Sequence, residues 1–93
     1  MVLEAYFTDF TDESNWVSGE VGRFRFTAKL FNTPSIFGIE GGRVSKLSMY
    51  DGRFCVVNYD RGWDISPKEE DERFFDAVME LLENSNERDL DDE

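Results

Sequence analysis

Between Arg23 and Leu30 apolar and polar residues alternate without a break. Phe24, Phe26, Ala28 and Leu30 fall on one side, and Arg23, Arg25, Thr27 and Lys29 on the other. That period of two marks a half-buried antiparallel strand. Upstream, Trp16 and Val17 begin a partner strand, and Gly19-Glu20-Val21-Gly22 reads as the turn between them. Downstream, Asp51-Gly52 sits between two further apolar runs and is a strong two-residue hairpin signal. Its register sets Tyr50 opposite Arg53, Met49 opposite Phe54, Ser48 opposite Cys55 and Leu47 opposite Val56. One face of this hairpin then collects Leu47, Met49, Phe54 and Val56 as core. The other collects Val44, Lys46, Tyr50, Arg53, Val57 and Tyr59, a mixture of cations and aromatics.

The pattern changes after Ser66. Phe74, Phe75, Val78, Leu81 and Leu82 recur at helical spacing, so a helix packs this stripe across the sheet. Ser66, Pro67 and Glu69 stand where a capping box with proline at the first helical position would stand. The stretch Met1–Asn15 follows neither period cleanly. It fits a short edge strand or a helical turn over one end of the core. Between the hairpins, Asn32-Thr33-Pro34-Ser35 marks a turn, and the glycine-rich run to Gly42 reads as a wide turn that packs Phe37 and Ile39 on the core. GIEGG leads into a strand, with no Gly-Lys-Ser/Thr following, so it is no phosphate-binding Walker loop. Trp63 anchors the end of the last strand, with Gly62 providing the bend. The sum is an α+β domain: an antiparallel sheet of about four strands with one C-terminal helix on one face.

With 93 residues, nine of them Phe, the chain holds one domain with a modest core. Its expected organisation is an acidic N-terminal extension over 1–15, the domain over 16–84, and an acidic flexible tail over 85–93. The net charge of −11 is unevenly spread. Residues 1–20 carry five acids and no Lys or Arg, and residues 21–63 carry seven cations against three acids. Residues 64–93 carry thirteen acids against three cations. A basic middle thus lies between acidic ends, which either neutralise it within the molecule or leave two surfaces of opposite sign.

Candidate chemistry is sparse. There is no histidine, which excludes His-based triads and most zinc sites. Cys55 is the only cysteine and lies in a strand-like run, where it reads as a packing residue. Arg61 lies between Asp60 and Asp64, placed to be clamped by one of them or to read a partner's carboxylate or phosphate. With Glu40, the two aspartates are the only clustered carboxylates in a loop-rich region, and nothing marks them for acid–base work. No enzyme activity, cofactor or metal is expected. No apolar run spans a membrane and no signal peptide opens the chain, so a cytoplasmic protein is expected.

The segments FTAKLFNTPSIFGIEGGRVSKL and NYDRGWD resemble a family of small uncharacterised proteins of Gram-positive bacteria and their phages, plasmids and conjugative elements. The resemblance runs from Trp16 to the helix. It implies a mobile-element setting and carries no activity; the acidic ends are where this chain departs from shorter members. With the charge, it leads to an expected interaction protein, monomeric or homodimeric, that inhibits a host defence nuclease of anti-CRISPR or anti-restriction type. Glu69, Glu70, Asp71, Glu72, Asp76, Glu80 and Glu83 would supply an acidic surface for a basic nucleic-acid-handling protein. The alternative is a nucleic-acid-binding accessory protein using Arg23, Arg25, Lys29, Lys46, Tyr50, Arg53 and Tyr59. The net negative charge weighs against that second use.

Overall fold

Glycine at the first of two turn positions closes each central hairpin. Gly22 and Gly52 both have positive φ, at 57° and 63°, while Arg23 and Arg53 after them do not. That is the type II′ pattern, whose twist matches the flanking strands. The computed structural model describes residues 3–11 and 15–84. In it, β1 (Ala5–Thr11), β2 (Trp16–Val21), β3 (Phe24–Leu30), β4 (Val44–Asp51), β5 (Phe54–Asp60) and β6 (Trp63–Ile65) form one antiparallel meander in chain order. A single helix, α1 (Glu72–Asn84), packs on one face.

The α+β class and the C-terminal helix are as expected, but the sheet has six strands rather than about four. Both additions lie at its edges. In β1 a bulge between Phe7 and Asp9 breaks the period of two that would betray a strand. β6 is only three residues long, and two of them, Trp63 and Ile65, pair with β5, too few to show a pattern. The first fifteen residues therefore do more than extend the domain: those of β1 hydrogen-bond to β2 as part of the sheet. The predicted tail, 85–93, lies outside the described residues.

Two turns also sit elsewhere than expected. Gly19, Glu20 and Val21 belong to β2, and the connection is Gly22-Arg23. In the second hairpin the turn is Gly52-Arg53, with Asp51 opposite Phe54 and a bulge that leaves Val56 without a partner. Beyond the bulge Val57 faces Met49 and Tyr59 faces Leu47. Because side chains alternate, this one-residue change decides which of them enter the core. Val57 and Tyr59 are buried, and so is Val44, while Phe54 is 70% exposed.

The core is a set of cross-strand rows beneath the helix. One row runs Phe7, Gly19, Phe26, Met49, Val57. A Cβ at Gly19 would collide with the Tyr6 carbonyl and the Phe26 ring, so glycine there makes room for phenylalanine on the next strand. From the helix, Phe74, Phe75, Val78 and Leu82 are buried and Leu81 is half-buried. The Phe74 ring meets Phe24 edge-on at 4.9 Å. Each buried side chain of this size stabilises the fold by about 1.5–3 kcal/mol.

The helix does not start from the predicted capping box. Glu69–Asp71 forms a 3-10 turn after Lys68, Ser66 is exposed, and regular helix begins at Glu72. At the other end Glu83 closes the domain. Its two carboxylate oxygens share the Arg43 backbone N–H, at 3.2 and 3.0 Å, tying α1 to the start of β4. Glu83→Ala is expected to cost about 1–3 kcal/mol in a urea-unfolding measurement, because a half-buried N–H loses a charged acceptor.

Candidate functional site

The two candidate surfaces lie on opposite sides of the molecule, one on the outer side of α1 and the other on the sheet face that α1 does not cover. On the helix side Glu69, Glu70, Glu72, Asp76 and Glu80 are exposed. Among the described residues none of the five has an ion-pair partner. Glu72, Asp76 and Glu80 follow at intervals of four and line one helix face. The two remaining acids of the predicted surface have structural roles instead. Asp71 is only 5% exposed and lies 4.0 Å from the Arg23 guanidinium, and Glu83 holds Arg43.

The predicted basic and aromatic set divides. Arg25, Lys29, Lys46 and Tyr50 share the outer sheet face, because Arg25 pairs with Tyr50 and Lys29 with Lys46 across β3–β4. The Arg25 guanidinium lies over the Tyr50 ring at 5.5 Å and donates to the Gly52 carbonyl. Arg53 is exposed in the turn. Arg23 leaves the set: it sits over the Phe24 ring at 4.4 Å and pairs with Asp51 at 3.1 Å. Tyr59 leaves it too, since the β5 bulge turns it inward to 7% exposure. Its hydroxyl donates to the Phe37 carbonyl at 3.0 Å, and its ring meets Trp63 at 5.0 Å. Satisfied in this way, the phenol can be buried without a desolvation penalty.

No described element covers the outer face, because the N-terminal segment pairs at the sheet's edge rather than crossing it. At that edge the Tyr6 hydroxyl donates to Glu20 Oε1 at 2.7 Å. This hydrogen bond, then the charge of the same carboxylate, raises the phenol above its ordinary value of 10.0. A raised value favours the neutral form in the folded state. Its contribution to stability is therefore complete below the unfolded-state value and is lost as pH rises through the folded one. In an alkaline absorbance titration, Glu20→Gln is expected to move one tyrosine down towards the ordinary value.

The outer face ends in an open groove of about 660 Å³, where β3 and β5 end and β4 begins. Lys29, Lys46 and Arg61 line it, with Asn15, Asn32 and Ser45. The register of β3 on β4, invisible without the structure, is what unites these distant positions. Asp60 pairs with Lys46 at 3.8 Å, and Asp64 accepts from the Asn58 amide. Neither aspartate clamps Arg61, whose guanidinium lies over the Phe37 ring at 5.8 Å. Phe37 was expected in the core and is 54% exposed, held between that cation and the Tyr59 hydrogen bond, whereas Ile39 is buried as expected. Trp63 keeps its anchoring contacts, to Tyr59 and to Phe75 at 5.7 Å, while remaining exposed on one side.

Glu40 lies exposed in the 3-10 turn Ile39–Gly41. The Cys55 thiol, half-buried on the outer face, donates to the Val57 carbonyl. Among the described residues no group of three or more metal-ligating side chains comes together, and no helix is long and apolar enough to cross a membrane.

A family model described as "Domain of unknown function (DUF7678)" matches residues 15–83, well over half of the chain, and the chain belongs to that family. The match includes the groove, the outer-face cations and the acidic helix, and leaves β1 outside. No curated protein and no solved structure matches the chain.

Proposed function

We propose that this member of the DUF7678 family is a non-enzymatic interaction protein whose acidic helix docks on a basic, nucleic-acid-handling protein in the cytoplasm. In its sharpest form it belongs to a mobile genetic element and inhibits a host defence nuclease, as an anti-CRISPR or anti-restriction protein does. The observation that carries the reading is the line of exposed carboxylates along α1 and the turn before it, none with an ion-pair partner among the described residues. Such a line repels phosphate, attracts a cationic channel and accelerates encounter with it by long-range steering. The mobile-element setting rests on the resemblance carried by FTAKLFNTPSIFGIEGGRVSKL and NYDRGWD.

Affinity capture from bacterial extract tests the reading. The wild-type chain should retain a basic nucleic-acid-binding protein and release it as salt is raised. Recovery of no such protein contradicts it.

One observation favours a second reading, direct nucleic-acid binding: Arg25, Lys29, Lys46 and Tyr50 lie together on an uncovered sheet face. A gel shift at low salt with single- and double-stranded DNA and RNA decides it. The acidic-helix reading expects no shift, since the whole chain carries −11.

A further inference from the structure

Lys29 and Lys46 stand directly opposite each other across β3 and β4. Like charges in that position destabilise a sheet. A chain with 21 acids and only 10 cations nevertheless places two of those cations face to face and adds a third, Arg61, in the same groove. One carboxylate among the described residues, Asp60, lines the groove with them, and its ion pair is with Lys46. Among the described residues no carboxylate pairs with Lys29.

The groove also includes two residues with left-handed backbone. Asn15 and Arg61 both line it, with φ of 60° and 62°, a region that asparagine tolerates and arginine mostly avoids. Each is held there by a hydrogen bond to a neighbouring strand. The Asn15 carbonyl accepts from the Leu30 N–H at 3.1 Å, and the Arg61 N–H donates to the Ser45 carbonyl at 3.1 Å. Uncommon backbone conformations held in place by their surroundings cluster at binding sites. The volume, about 660 Å³, lies within the range of small-molecule sites. Trp16, half-buried, does not line the groove but pairs with Lys29 on the outer face, one strand away from it.

We propose that this groove binds a phosphate-bearing ligand of nucleotide type, with the phosphate held by Lys29, Lys46 and Arg61 and the base against Trp16. An anion between the two ammonium groups converts their repulsion into shared attraction. Among the described residues three cations exceed the single carboxylate lining the groove, a local balance that favours a phosphate despite the charge of the whole chain. Asn15 and Asn32 add amide donors at the rim. The site is independent of the acidic helix, so loss of nucleotide binding and loss of partner binding are separable results.

The test is calorimetric titration of the full chain with inorganic phosphate, AMP and a short single-stranded oligonucleotide, at matched ionic strength in chloride. Saturable binding is expected, weakened by about tenfold for each cation removed in Lys29→Gln, Lys46→Gln and Arg61→Gln. Binding of AMP at least as tight as that of the oligonucleotide assigns a free nucleotide; much tighter oligonucleotide binding overturns the free-nucleotide site in favour of direct nucleic-acid binding. A fold-independent check comes from melting. Lys29→Gln should leave the midpoint in chloride unchanged or higher, because it relieves repulsion, and should abolish the rise that phosphate gives the wild type. No saturable binding of any of the three ligands, or equal binding and an equal phosphate-dependent rise in the variants, overturns the proposal.

Discussion

Phe26→Ala is expected to destabilise the domain by about 3–5 kcal/mol. That is most of the stability available to a domain at the low end of the usual range of about 5–15 kcal/mol. The side chain is fully buried in the middle of the central core row, between Gly19 and Met49. Phe7 meets its ring at 6.4 Å, in an edge-on arrangement. Alanine there leaves a cavity that three strands cannot collapse into, because their registers are fixed by the glycine turns. Gly19→Ala attacks the same contact from the other side and should cost about 1–3 kcal/mol through overpacking. The two changes share an interaction and should be non-additive in a double-mutant cycle. Urea unfolding followed by far-UV circular dichroism measures all three variants. Simple additivity would mean that the room left by Gly19 is not what seats the Phe26 ring.

The second large effect concerns binding. Neutralising the helix with Glu69→Gln, Glu70→Gln, Glu72→Gln, Asp76→Asn and Glu80→Gln removes the five exposed carboxylates and leaves Asp71 and Glu83 in their structural roles. Retention of the basic partner should fall by about a hundredfold or more, chiefly through a slower association rate at low salt. The salt dependence of the remaining binding should flatten. The fold should survive, since the changed residues are exposed, and only Glu69, Glu70 and Glu72 lie in a first turn, where a carboxylate contributes about 0.3–1 kcal/mol through the helix dipole. A matched control, Arg25→Gln with Lys46→Gln on the opposite face, should leave partner binding intact. If the control lowers binding as much as the helix variant, docking on α1 is the wrong account.

How much of this could be read from the chain depended on local regularity. The alternation through Phe24–Leu30 places β3 and its buried face correctly, and the Phe74, Phe75, Val78 and Leu82 spacing places α1. Irregularities defeated the pattern elsewhere. The bulge at Val56 reverses the faces of Val57 and Tyr59, and no periodicity argument anticipates an unpaired residue. The bulge in β1 hides a strand in the same way. Asp51-Gly52 is a good turn signal, yet the chain turns one residue later, with glycine in the first position and arginine in the second. Of the seven acids expected on that surface, five are exposed. Asp71 and Glu83 look identical to the others in sequence and differ only in what the fold brings to them, Arg23 and the Arg43 N–H. The groove was the least legible feature. Lys29 and Lys46 are far apart in the chain and meet only through strand pairing, and Arg61 joins them through an uncommon backbone angle.

The central claim is that an acidic helix takes a place otherwise held by nucleic acid. The direct measurement is nucleic-acid occupancy of the captured partner, followed by fluorescence anisotropy of a labelled duplex as this chain is titrated in. The account predicts stoichiometric release of the duplex by the wild-type chain and none by the helix-neutralised variant. A stable ternary complex of partner, duplex and this chain, with anisotropy undiminished at saturation, would contradict it.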